Sequence, residues 1–169
     1  MADRLAQLLG VVALAATDRF RAAVEESLGR SGAHAAALVH LDAHPGEAIG
    51  ALAEVLGVSQ PAAVKIADRL AAEGLLDRRP GPDRRTIALH LTSAGHEAAA
   101  RVLADRASAL GTLLGVLDAT ERRTLERLLE RLVAGLADDR PGALHACRLC
   151  DRGACYGSGP DCPLEHTTP

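Results

Sequence analysis

The stretch that most restricts what this chain can become is 48–91, because its punctuation leaves few arrangements. Ala48–Leu56 carries Ile49, Leu52, Ala53 and Leu56 at helical spacing. Gly57 then supplies a residue suited to end a helix in the left-handed conformation. Ser59 follows as an expected N-cap, and Pro61 falls in the first turn of the next helix, where its missing N–H is no loss. That second helix is predicted to run to about Glu73, with Ala63, Ile66, Ala67 and Leu70 turned inward, and Gly74 stops it. Leu75–Arg79 reads as a short strand, and Pro80-Gly81-Pro82-Asp83 breaks regular structure. Thr86–Leu91 alternates, which puts Ile87, Leu89 and Leu91 on one side. Two helices joined by a three-residue turn, followed by a hairpin with an arginine-rich tip, form the pattern of a winged helix-turn-helix.

Shape and charge point this pattern at DNA. An α-helix fits the major groove, and a basic loop beside it reaches the neighbouring minor groove. Lys65 and Arg69 lie four apart on the outward face of the second helix, and Arg78, Arg79, Arg84 and Arg85 crowd the hairpin. Residues 59–85 hold six basic and four acidic side chains, a local excess of positive charge in a chain whose net charge is −3. Charge concentrated in this way suits contact with phosphates. Six cations on a solvated surface would mean little alone; the order of elements carries the reading.

The run Leu52-Ala53-Glu54-Val55-Leu56-Gly57-Val58-Ser59-Gln60-Pro61 resembles the MarR family, as does Asp68-Arg69-Leu70-Ala71-Ala72-Glu73-Gly74-Leu75-Leu76-Asp77-Arg78-Arg79. Asp83-Arg84-Arg85 followed by Leu91-Thr92-Ser93-Ala94-Gly95 is similar to that family too, and the resemblance covers roughly 5–137. It implies a mainly α fold: a winged helix-turn-helix with long flanking dimerisation helices and a two-stranded β wing. It also implies that the helix opened by Ser59 is the recognition helix and that the loop near Asp83 is the wing. Gln60, Pro61, Ala62, Val64, Lys65 and Arg69 then lie at the major groove, and Arg84 and Arg85 on the wing, with Asp83 orienting them. Val64 departs from the family pattern, which has a small hydroxyl residue there; contact with a thymine methyl replaces a hydrogen bond. Small phenolic effectors are common in the family. This chain has one Phe, one Tyr and no Trp, and no effector is assigned to it.

The flanking segments read as helices. Residues 3–28 are one, with Leu5, Leu8, Leu9, Val12, Phe20, Val24 and Leu28 giving more apolar surface than one internal partner covers, and Gly29 ends it. A helix over 31–44 opens at Ser31 and buries Ala35, Leu38, Val39 and Leu41. Thr92 caps a long helix to about Leu117, interrupted by Gly111 and Gly115. Thr120 is expected to cap a helix over 121–137, with Leu125, Leu128, Leu129, Leu132, Val133 and Leu136 inside. A homodimer built on the 3–28 and 120–137 helices solves the surplus of apolar surface, as the resemblance also implies. It sets two recognition helices about one DNA turn apart. Leu5–Ala16 is apolar, but its leader carries Asp3 and the helical pattern continues past Ala16, so it reads as helix rather than secretion signal. No run is long enough to span a membrane, and a cytoplasmic location is expected.

The chain thus divides into 1–140, the MarR-like unit with its DNA-binding segment at 48–91, and a cysteine-rich tail at 141–169. All four cysteines fall in the tail as Cys147-x2-Cys150-x4-Cys155-x6-Cys162, among small and polar residues that cannot build a core, after Arg140-Pro141-Gly142 breaks the last helix. In a reducing compartment such a set reads as a metal site: zinc held by four thiolates, or an iron–sulfur cluster, with free or disulfide-linked thiols as the bland alternative. His145 and His166 are expected to be solvated. His40 and His44, four apart on one helix, read as structural or solvated rather than metal-binding. No phosphate loop, dinucleotide fingerprint or supported Ser/His/Asp set is present, so no enzymatic activity is expected. The reading is a homodimeric DNA-binding transcriptional regulator, most simply a repressor, sensing metal or redox state through its tail. The alternative is a metal- or redox-binding interaction protein whose winged unit contacts protein.

Overall fold

The computed structural model describes residues 3–29, 32–81, 86–158 and 162–167. Its elements run α1 (Arg4–Leu28), α2 (Gly32–Ala43), β1 (Glu47–Ala48), α3 (Ile49–Leu56), α4 (Gln60–Ala72), β2 (Leu76–Pro80), β3 (Ile87–Leu91), α5 (Ser93–Leu114), α6 (Ala119–Ala134), α7 (Arg140–Ala146) and α8 (Arg152–Ser158), then a 3₁₀ turn at Glu165–Thr167. Ser31 lies outside the described residues.

The core forms around α2. Seven successive residues, Ala35 to Leu41, are buried, so this helix is covered on every side. Leu38 and Leu41 meet Leu52 and Leu56 of α3, Ile66 and Leu70 of α4, Leu76 and Leu89 of the sheet, and Ala98 and Ala99 of α5. Small alanines let α5 lie close to α2. A second cluster joins Val24, Ala35, Val39 and Val102 where α1 crosses α5.

The wing is one strand larger than expected. Glu47–Ala48 forms a third antiparallel strand, in the order β1-β3-β2. The sequence hides it because two residues carry no alternation. With neighbours on both sides, β3 buries Ala88 as well as Leu89 and Leu91, while Ile87 is 53% exposed rather than inward. Ile87 pairs with Pro80 at the outer end of the hairpin, beyond the core. Pro80 itself ends β2 instead of breaking it, as an edge strand allows.

Helix ends follow local chemistry, with one correction. Gly29 and Gly57 close α1 and α3 at φ +62° and +64°. Thr92 caps α5, which passes through Gly111 and ends at Gly115. The cap of α6 is Asp118, not Thr120: its carboxylate accepts from the N–H of Thr120 and Glu121, and Glu121 returns a bond to the Asp118 N–H. A carboxylate satisfies these donors and the helix dipole together, which a hydroxyl does not.

The apolar side of α6 is not inside. Leu128, Leu129, Leu132 and Leu136 are exposed, as are Leu5, Leu8, Leu9, Val11, Val12 and Leu14 of α1. Among the described residues, 3–23 and 103–136 contain no buried residue. Spacing marks both helices as amphipathic, and no described residue of the chain covers these apolar faces.

The tail also departs from expectation. It folds into α7, α8 and a turn, with a small cluster of Ala137, Ala143 and Leu164 backed by Val133, Cys147 and Cys162. Asp139 caps α7 through the Gly142 N–H at 2.8 Å, so Arg140-Pro141-Gly142 starts a helix there rather than only ending one. Proline in a first turn removes no needed donor.

Candidate nucleic-acid interface

The interface is built from two helices meeting at 106° across Gly57-Val58-Ser59, within the range of helix-turn-helix units. Gly57 N–H bonds back to the Glu54 carbonyl and Val58 N–H to the Ala53 carbonyl, at 3.0 and 3.1 Å. Ser59 takes the N-cap position of α4 without a side-chain cap bond, and its carbonyl accepts from Ala62 and Ala63. Ala63, Ile66, Ala67 and Leu70 anchor α4 in the core as expected. The opposite face is therefore outward: Gln60, Pro61, Val64, Lys65 and Arg69 are exposed, and Ala62 is half-buried.

Charges on this face are not equivalent. Arg69 pairs with Glu73 at 3.3 Å along the helix. Arg78 of β2 reaches across to Asp68 of α4 at 2.7 Å, and Arg79 pairs with Asp77 at 3.3 Å. Two of the hairpin arginines are thus held in ion pairs, one of them bracing α4. Lys65 forms no ion pair among the described residues. Asp83, Arg84 and Arg85 lie outside the described residues.

Behind α4, the segment Leu91-Thr92-Ser93-Ala94-Gly95 locks the wing to α5. The Thr92 hydroxyl donates to the Gly74 carbonyl at 2.6 Å and accepts from the Gly95 N–H at 3.1 Å. Thr92 N–H bonds to the Leu75 carbonyl at 3.1 Å. A Cβ on Gly95 would stand 2.1 Å from that carbonyl oxygen, so only glycine lets α5 sit so close. The sequence shows this segment as a motif; its job as a clasp between β2, β3 and α5 is visible only in space.

The paired histidines are structural, with a partner missed at the sequence level. His40 is 3% exposed and its Nε2 bonds to the carboxylate of Glu47, from the unforeseen β1. His44 stacks on His40 with ring centroids 4.4 Å apart and its Nδ1–H donates to the His40 carbonyl at 3.1 Å. Burial holds the His44 pKa below the usual histidine value, His40 and Arg152 adding to the effect, against the backbone bond and Glu47. A cavity of about 490 Å³ opens between α1, α2 and α5, with Phe20 as its one aromatic wall.

The tail docks on the back of the helix-turn-helix. His145 of α7 bonds through Nδ1–H to the Val55 carbonyl at 2.8 Å, and its ring lies over Gly57, where any Cβ would come within 2.7 Å. His166 bonds to the Ala137 carbonyl at 3.1 Å. Neither histidine is merely solvated: His145 supplies a donor for a carbonyl at the end of α3, and His166 for one between α6 and α7. The four cysteines are drawn together. Cys147, Cys150 and Cys155 act on one another's ionisation, and Cys162 acts electrostatically on Cys147 and Cys155. The bond from Cys150 brings Cys147 down to about 7, and the same bond, with burial, pushes Cys150 up. Burial raises Cys155. Among the described residues no three His, Cys, Asp or Glu side chains stand, as arranged, around a point that would hold an ion.

The fold and the exposed face of α4 define a winged helix-turn-helix protein. The profile of the MarR family matches residues 28–86. Over 103 residues the chain is 35% identical to the transcriptional repressor MprA of Escherichia coli K12, a match covering 59% of this chain and 58% of MprA. The chain thus spans little more than half the length of the curated relative it matches. Its fold superposes on YusO of Bacillus subtilis with a TM-score of 0.67 at 25% identity, over 78% of this chain and 93% of YusO. The Mycobacterium tuberculosis MarR family protein Rv2887, solved in complex with DNA, gives 0.66 at 27% identity, over 78% and 98%. Over these spans the chain is similar to MarR-family transcriptional regulators. No single helix among the described residues is long and apolar enough to cross a membrane.

Proposed function

We propose that this protein is a DNA-binding transcriptional repressor that works as a homodimer on promoter DNA in the cytoplasm. The observation that carries the reading is the outward face of α4, where Gln60, Pro61, Val64, Lys65 and Arg69 are exposed on a helix anchored by four buried residues. Lys65 is open to a phosphate, and Val64 offers a methyl-sized contact in the groove. Arg84 and Arg85, oriented by Asp83, extend the contact as the wing. The similarity to a repressor and to a regulator solved on DNA supports the reading. The uncovered apolar faces of α1 and α6 support a second copy as their partner, since one chain leaves them in water. A two-fold dimer repeats α4 about one turn of DNA away and calls for a near-palindromic site, which it occludes. The tail makes that occupancy responsive to metal or redox state.

The test is a binding titration on promoter fragments and random duplex at several salt concentrations. Affinity should fall steeply and linearly in log salt, by roughly 0.9 log unit per phosphate contact for each tenfold rise. Failure to bind either DNA at low ionic strength would refute the reading.

A further inference from the structure

We propose that Cys147, Cys150, Cys155 and Cys162 hold one divalent ion of the zinc class through four thiolates, and that the ion sets the pose of α4 through His145. The regulatory half rests on the DNA-binding reading; the ion site does not.

Convergence is the first argument. Cys147 closes α7, and the Cys150 N–H bonds to the Cys147 carbonyl at 2.8 Å, a turn that brings both sulfurs to one side. Cys155 comes from α8 and lies near enough to Cys150 to act on it electrostatically. Cys162 is 15 residues beyond Cys147, yet both pack against Ala137, Ala143 and Leu164. Leu164 is 3% exposed, so this return of the chain is anchored. Cys147, Cys150 and Cys162 line one cleft of about 70 Å³, larger than the roughly 30 Å³ share of a water molecule. A tetrahedral site places sulfurs about 3.8 Å apart at zinc–sulfur bonds of about 2.3 Å. As arranged, the described side chains do not surround such a point, so the thiols close on an ion only by turning toward the cleft that three of them line.

Charge is the second. The ion displaces the four thiol protons to solvent, and a divalent ion with four thiolates is dianionic. Arg140, Arg148 and Arg152 line the same cleft, and Arg106 of α5 acts favourably on Cys147 and Cys150. A cationic rim suits a bound dianion. The third argument is connection. Cys147 lies two residues from His145, whose bond to Val55 and contact over Gly57 hold the turn between α3 and α4. Closing the sulfurs on an ion fixes the end of α7 and therefore the position of His145 on that turn.

The experiment uses the full-length, reduced, metal-free protein. Cobalt(II) is added anaerobically until the thiolate charge-transfer absorbance saturates, and zinc is then added in competition. Saturation near one ion per chain, displaced by zinc and lost in Cys147→Ser/Cys162→Ser, is expected. The double variant is checked by circular dichroism to keep its helices. No stoichiometric binding, binding that survives the double variant, or iron with acid-labile sulfide in anaerobically purified protein overturns the site. Promoter affinity of wild type, with and without zinc, should differ about tenfold, within the range of allosteric couplings. His145→Ala should keep the cobalt stoichiometry and shrink that difference below about threefold. Equal promoter affinity with and without zinc in wild type, or an undiminished difference in His145→Ala, overturns the coupling. Loss of all DNA binding in both states refutes the repressor reading instead, leaving the cobalt titration to decide the site.

Discussion

Replacing Gly95 by alanine asks for space that the fold does not have. The new Cβ would stand 2.1 Å from the Leu75 carbonyl oxygen and 3.1 Å from the Leu91 Cβ. Carbon meets a carbonyl oxygen comfortably at about 3.4 Å, so α5 must withdraw by roughly 1.3 Å. The obstacle is backbone in the turn between α4 and β2, which cannot rotate away as a side chain would. Withdrawal strains or breaks the bond of Thr92 to Gly74 and that of Gly95 to Thr92. Overpacking costs about 1–3 kcal/mol. Each hydrogen bond adds about 1 kcal/mol. Alanine returns up to about 1 kcal/mol as the better helix former. The net loss is about 3 kcal/mol. At a urea m-value of about 2 kcal/mol/M, the unfolding midpoint should drop by about 1.5 M with m unchanged. Gly50→Ala is the control: it also lies in a helix, has nothing within 4 Å of its would-be Cβ, and should hold or raise the midpoint. Protein concentration is kept constant, because assembly shifts apparent stability. A Gly95→Ala midpoint within about 0.3 M of wild type would refute the clasp.

Four further outcomes follow from the same structure. Lys65→Ala should weaken binding to all duplexes and lower the salt slope by about one unit. Arg78→Ala should instead change stability by at most about 1 kcal/mol, because its surface pair with Asp68 braces α4 rather than reaching outward. Leu132→Asp places a charge on the uncovered face of α6; sedimentation should then show a monomer, and promoter affinity should collapse with it. His44 has a folded pKa below its unfolded value of 6.5, so the unfolded chain keeps this proton to higher pH. Stability should therefore fall as pH drops below 6.5 and level off beneath the folded value. His44→Gln should flatten that slope in denaturation midpoints measured from about pH 5 to 7.

The sequence by itself determined the order of elements and the outward face of α4, because local rules decide both. Apolar spacing at Ala63, Ile66, Ala67 and Leu70 fixes which side of the helix is buried, and Gly57 and Pro61 fix where one helix stops and the next starts. Tertiary structure alone decided what depends on distant partners. Glu47 became a strand because β3 offered it an edge, and its carboxylate then found His40. Arg78 of the predicted hairpin found Asp68 as its partner, since β2 runs beside α4. The leucines of α6 match a buried stripe in pattern, yet periodicity says which side is apolar without saying what covers it. The tail shows the limit most clearly: Cys147 and Cys162 share a cluster only because Leu164 folds back onto Ala143, a contact between residues whose spacing in the chain predicts nothing.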